Sequence, residues 1–382
     1  MRTQVSAAIG EPAPSSDREL LVNLIELLQS EALPEQVLSG AWRAVWFWLI
    51  IRPALQSTAM EMGVIELAAA HFRAIGSTAD AIRVSRCREG RGFSVLHAVY
   101  AVTRASGGEA ARPDLDACVA TGGVFDICIE VVTAFASAGV AGLRDTNRGT
   151  ITTALMLLSI CHMQPGCEAK LRGAAKALTF AMQHSLEFIE AFGYTSGACA
   201  AKVCCCVFGR DEQGSEFTFT QEHIDVLTVD WSQTVAGEGF RATKKPTSDN
   251  IFAVQLSVSD VNKPLLLANK DFIPYCVDAL LLDPEHLRAG MKEELKAWCQ
   301  THHAEALAQL ALFEPAREAL LQDGSVVPAL EAVAAAGLTE QARELAAAAL
   351  MALSDRKAGT TTETEGPKHV MLSCEYTVCL HL

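Results

Sequence analysis

From Asp17 onward, apolar residues recur three and four positions apart, the spacing that gathers them on one face of an α-helix. This pattern predicts helices over Arg18 to Gln29, Pro34 to Ala54, Gly63 to Ile75, Gly92 to Ala105 and Pro113 to Ala120. It continues over Gly122 to Phe135, Thr150 to Cys161, Cys167 to His184, Leu186 to Phe192 and Ala198 to Phe208, with short Gly, Ser or Pro breaks between. No run up to that point alternates as a strand would. Between Gly209 and Asn250 the period lapses among Gly214, Gly237, Gly239 and Pro246, although Ile224 to Val229 is readable as a helical turn or a short strand. Residues 209–250 are expected to be a long loop or insertion, because helical periodicity resumes at Ile251. The expected class is all-α.

The chain also repeats itself. Ala306-Leu307-Ala308-Gln309-Leu310 returns as Ala349-Leu350-Met351-Ala352-Leu353, 43 residues later. Leu256 precedes Pro274 by 18 residues, and Leu310 precedes Pro328 by the same 18. A period of this size is the mark of helical arrays in which each unit buries its apolar face against its neighbours.

The segment Glu314 to Ser354, with Gly324, Val326-Val327-Pro328 and Ala349 to Leu353 at corresponding places, resembles an armadillo repeat. The resemblance implies an armadillo/HEAT-like right-handed α-solenoid over residues 17–354, of about seven or eight units at that period. Gly324 is expected in the left-handed conformation that ends a first helix, and Pro328 in a first turn, where its missing N–H costs nothing. Thr339 is placed to cap the third helix, and Asp283-Pro284-Glu285 to start another. Ala342, Ala346, Ala347 and Ala349 are small enough to let neighbouring helices approach closely. In the armadillo family an Asn ladder on the third helices holds an extended peptide. Those positions fall here on Gln309 and, more weakly, Gln255, with Ala352 in the last repeat, where no amide remains. Gln309 and Gln255 are therefore the candidate partner-binding residues, and the Ala argues against a peptide groove of the nuclear-import kind.

Composition narrows the partners. Half of the residues are apolar and only 6% aromatic, and a formal net charge of −14 without a basic stripe disfavours nucleic acid. The longest apolar run without a charge, Ala44 to Ile51, falls well short of the roughly 20 residues of a spanning helix, so no membrane span is expected. Residues 1–16 carry no apolar core of a signal peptide and read as a disordered leader. The 13 cysteines, scattered among Ala and Leu, read as small reduced hydrophobes, which suggests a cytoplasmic location.

Cys161-His162 with Cys167, Cys204-Cys205-Cys206 and His302-His303 all lack the paired spacing of a zinc site, so no metal is expected. Gly237-Glu238-Gly239 with Lys244-Lys245 lacks the Gly-Lys-Ser/Thr junction of a phosphate loop, and no cofactor is expected. Glu293-Glu294 reads as solvated helix charge, and no Ser, His and acid trio points to nucleophilic catalysis. The chain is expected not to be an enzyme.

Residues 355–367 read as a polar linker. After it, Lys368-His369-Val370-Met371-Leu372-Ser373 resembles the first strand of a TIR domain, with Cys374 where that family has Tyr; residues 368–382 are read as such a strand remnant or a disordered tail. With the repeats, this resemblance implies a protein–protein interaction scaffold, the regulatory part of a TIR signalling protein. The alternative it implies is a component of an NAD-consuming or NAD-sensing system with a nucleotide site on the solenoid. Leu345, Leu350 and Leu353, with no repeat after them, also suggest self-association through the C-terminal end of the array.

Overall fold

A computed structural model describes residues 15–30, 33–78, 91–103, 113–120, 122–142, 148–184, 195–211, 217–228, 249–281 and 293–354. The described residues are all-helical, with nineteen α-helices and one 3-10 turn. They divide into two compact units, the first built from the helices up to Ala181 and the second from those after Ala201.

In the first unit, α1 (Ser15–Gln29) and α2 (Glu35–Ile51) precede a recurring order of one short helix and two longer ones. That order is α3 (Gln56–Glu61), α4 (Val64–Arg73) and α5 (Arg91–Thr103), then α6 (Pro113–Val119), α7 (Val124–Gly142) and α8 (Arg148–Cys161). A third set, α9 (Cys167–Gly173), α10 (Ala175–Gln183) and α11 (Thr195–Phe208), contains the division between the units. The second unit continues with α12 (Gln221–Thr228), α13 (Asp249–Val258), α14 (Lys263–Ala268), α15 (Phe272–Leu281) and α16 (Glu293–Ala311). It closes with α17 (Glu314–Gln322), α18 (Val326–Ala336) and α19 (Glu340–Ser354).

Several boundaries differ from the sequence reading for local reasons. The helix expected over residues 34–54 stops at Ile51, because Arg52 precedes Pro53 and is pushed out of the helical region to φ −125°, ψ 72°. The helix expected over 167–184 breaks in two at Ala174. Residues 15 and 16, assigned to the leader, already belong to α1. The stretch 209–250 contains the helix α12, whose short apolar face was lost among the surrounding Gly and Thr, and α13 begins at Asp249. The remainder of the leader, the helix at 186–192, the Asp283-Pro284-Glu285 start, the linker 355–367 and the tail 368–382 lie outside the described residues.

One turn is built in two ways. In the first unit, Gly63 (φ 69°) and Gly122 (φ 73°) reverse the chain between the short and middle helices, a left-handed conformation that Gly adopts without a Cβ penalty. Gly324 does not take that conformation. The corresponding turns of the second unit are side-chain turns. Asn269 and Asp323 sit extended (φ −84°, ψ 108° and φ −79°, ψ 104°), and their Oδ1 atoms each accept a backbone N–H two residues on, from Asp271 and Ser325, at 3.0 Å.

Packing runs like on like. In the first unit α2 packs on α5 and α5 on α8, while α4 packs on α7. In the second, α13 packs on α16 and α16 on α19, with α15 against α18 and α14 against α17. Buried polar groups pin these layers. Arg210 Nε donates to Gln255 Oε1 at 2.6 Å, Ser259 Oγ to the Asp211 carbonyl at 2.7 Å and Asn262 Nδ2 to the Gly209 carbonyl at 2.9 Å. Gly209 has to be Gly, since a Cβ there would lie 2.4 Å from the Cys205 carbonyl and 3.0 Å from Gln255 Cβ.

Gln300 joins the last two sets. Its Nε2 donates to the Leu280 carbonyl at 2.7 Å, and its Oε1 accepts the Leu338 N–H at 2.8 Å. Beside it, the hydroxyls of Thr301 and Thr339 meet at 2.9 Å, and Thr339 caps α19 by accepting the Ala342 N–H at 3.0 Å. Gln300→Ala leaves two backbone groups unpaired and is expected to cost about 2 to 4 kcal/mol. Urea unfolding followed by circular dichroism measures this, and a loss below about 1 kcal/mol would show that the clasp contributes little.

Candidate partner-binding face

The long helix α16 buries three sides and leaves one partly open. Cys299, Gln300, His303, Ala304, Ala306, Leu307 and Leu310 are buried, while Trp298, His302, Glu305 and Gln309 are half-buried. Those four are spaced by four, three and four residues, so at 3.6 residues per turn they form a single stripe. His302 stands edge-on to the Trp298 indole, ring centroids 4.5 Å apart at 84°, with its Nδ1 3.6 Å from Glu305 Oε2. The stripe thus combines an aromatic face, an imidazole, a carboxylate and, at Gln309, an amide that makes no hydrogen bond to the described residues. In α19, the positions 43 residues further on are Gln341, Leu345, Ala348 and Ala352, so the row continues with an amide where α16 has its indole and with apolar side chains after it.

Gln309 therefore falls on a partly accessible face and Gln255 does not. Gln255 is 9% exposed, and its amide oxygen accepts from Arg210, so it is a packing residue between α11 and α13. Sequence reasoning found Gln309 but missed Trp298, His302 and Glu305. Their signal was the helical spacing to Gln309.

The cysteine and histidine groups considered for zinc are dispersed. His303 is buried against Tyr275 and donates its Nδ1–H to the Cys299 carbonyl at 2.8 Å, while its neighbour His302 lies half-buried against Trp298 on another side of the helix. Cys161 and Cys167 are each 1% exposed, and the His162 Nδ1 lies 3.0 Å from the Ser159 carbonyl, engaged within its own helix turn. Cys204 and Cys205 are buried and Cys206 half-buried, as consecutive helical positions require. Among the described residues, no group of three or more His, Cys, Asp or Glu is arranged to hold a metal ion. The Gly237 to Lys245 segment considered for phosphate lies outside them.

Burial dominates the thiol chemistry. It pushes Cys167 and Cys204 up to about 12 and raises Cys128 and Cys205 as well. Cys118 is raised first by its hydrogen bond with Cys161 and then by burial. These are protonated, poorly nucleophilic thiols. On the first unit, a shallow depression beside Phe72 and Thr78 is occupied by the protein's own groups. Arg73 pairs with Glu130 at 3.3 Å, and Thr78 Oγ1 donates to the same carboxylate at 3.1 Å. No described helix is long and apolar enough to cross a membrane. No protein-family model, curated protein or solved structure matches the chain.

Proposed function

We propose that this chain is a non-catalytic scaffold of armadillo-type repeats, wound as a right-handed solenoid, that binds a protein partner along its third helices. The observation that carries this reading is the stripe Trp298, His302, Glu305 and Gln309, a mixed aromatic and polar face left partly open on a helix that is otherwise packed. Such faces hold partners through one aromatic anchor supported by hydrogen-bonding groups. The stacking of α13, α16 and α19 gives that face a rigid backing. A regulatory role toward a TIR domain rests on the resemblance at Lys368 to Ser373, which lies outside the described residues.

The test is site-specific photocrosslinking. A photoreactive residue at Gln309 is expected to capture a partner of discrete mass, and Trp298→Ala to weaken that capture at least about tenfold, the effect of losing an anchor. Equal capture from Glu318, on the exterior of α17, would sink the assignment of the partner to this face.

A further inference from the structure

The interface between successive third helices has two sides, and among the described residues α2 and α19 each present one of them without a neighbouring third helix. On α16 the side that receives α19 includes Thr301, Ala304 and Ala308, which are 6%, 0% and 9% exposed, and Thr301 is bonded to Thr339 of the following set. The 43-residue shift carries those positions to Glu344, Ala347 and Met351 on α19. All three are exposed, Met351 by 71%. The opposite side of α19, Ala342, Ala346, Ala349 and Leu353, is buried. So α19 offers, as Glu344, Ala347 and Met351, the positions at which α16 receives its neighbour, with nothing of the described chain on them. Of the leucines expected to be uncovered, Leu353 is buried and Leu345 and Leu350 half-buried; the open residues are Ala347 and Met351.

The other side is displayed by α2. Trp42 bonds to His71 of α4, and Trp46 stacks edge-on against Phe93 and His97 of α5, so these fix the inner side of α2 and the side toward the next third helix. The side away from α5 carries Val37, Ala44, Trp48 and Ile51, spaced by seven, four and three residues on one stripe. Val37 is 41% and Ile51 43% exposed, and Ala44 and Trp48 are half-buried. The α2 stripe carries no polar side chain, and on α19 Glu344 is the one polar residue of the three shifted positions.

We propose that two copies of this chain associate head to tail, the Val37, Ala44, Trp48 and Ile51 stripe of one copy seated on the Ala347 and Met351 side of α19 of the other. The contact continues, between chains, the stacking of third helix on third helix that the molecule already uses within itself. The two surfaces differ, so the contact is heterologous and leaves one free surface of each kind on the pair. The net charge of −14 opposes it, so added salt strengthens it. This inference goes beyond the scaffold reading and does not need it, since the stripe around Gln309 takes no part.

The experiment is sedimentation velocity of the full chain from about 1 to 100 µM, at low and at raised salt. The expected result is an average mass that rises with concentration and rises further with salt. Met351→Glu and Ile51→Glu, each folded by circular dichroism, are expected to weaken association at least about tenfold when measured alone. Mixed one to one, they are expected to form a dimer and nothing larger, because each retains the surface that the other lacks. A wild-type chain that stays monomeric throughout overturns the proposal, as does a mixture that fails to pair. Loss of association with Met351→Glu but not with Ile51→Glu overturns it too, in favour of a symmetric contact. If Ile51→Glu does not fold, Val37→Glu probes the same stripe.

Discussion

Trp42→Ala is expected to lower the stability of the first unit by about 3 to 5 kcal/mol, the cost of deleting a large side chain from a packed interior. Trp42 is fully buried at the centre of the inner face of α2, with Ala41, Val45 and Leu49. Its Nε1–H donates to His71 Nδ1 at 3.0 Å, and the rings lie 5.6 Å apart at 77°, so one side chain ties α2 to α4 by both packing and a directed bond. The hydrogen bond also fixes the imidazole tautomer, with the acceptor lone pair on Nδ1 and the proton on Nε2. Trp42→Phe keeps most of the volume and loses the bond, and is expected to cost about 1 to 2 kcal/mol. Phe47→Ala, five residues further along the same helix but 59% exposed, is expected to stay within about 0.5 kcal/mol of wild type. Chemical denaturation of the three variants side by side measures this order. Equal losses at Trp42 and Phe47 would show that α2 does not pack as described.

The second large effect depends on pH. His97 of α5 stands among Trp46, Phe93 and Tyr100, with its Nδ1 2.7 Å from Thr153 Oγ1 of α8. The Thr153 hydroxyl donates to the Gly149 carbonyl at 2.8 Å, so it accepts the Nδ1–H of the neutral ring. Burial lowers His97 to about 4, with a backbone hydrogen bond at Phe93 opposing the shift. Above pH 6.5 the ring is neutral in both the folded and the unfolded chain, and the group contributes no pH dependence. As the pH falls from 6.5 towards 4, the unfolded chain takes up a proton that the folded chain refuses, and up to about 3 kcal/mol of stability is lost. His97→Gln retains a partner for Thr153 and cannot titrate. Its stability deficit relative to wild type is expected to shrink by about 2 to 3 kcal/mol between pH 7 and pH 4.5. Parallel unfolding curves for both proteins at the two pH values would rule this account out.

Helix content was legible because it depends on local spacing. Arg18 to Gln29 and Thr150 to Cys161 emerged within three residues of their structural ends. The recurring helix order was legible only where its spacing stays constant. The shift of 43 relates α16 to α19, but the third helices otherwise end at Ile51, Thr103, Cys161, Phe208, Val258 and Ala311, roughly fifty residues apart and unequally so. That drift hid α12 and made residues 209–250 look like an insertion. The turn at Gly324 was misread because an Asx turn at Asp323 and a left-handed glycine accomplish the same reversal, and only the hydrogen bond to Ser325 distinguishes them. Of the two ladder amides, Gln309 is half-buried on the partly open side of α16, whereas the fate of Gln255 depends on Arg210, 45 residues away, which no local pattern reveals.

The burial of the cysteines has a consequence for how the protein ages. None of the ten described cysteines is in a disulfide, and nine of them are buried, several with their thiols held protonated. Oxidants and alkylating reagents attack the thiolate, so at neutral pH Cys118, Cys128, Cys167, Cys204 and Cys205 are shielded twice, by lack of access and by lack of charge. Damage reaches them only when a helix lifts away from its neighbours. The rate at which each thiol is modified is then set by how often its own layer opens, and the chain carries a dated record of its local unfolding, written one helix at a time.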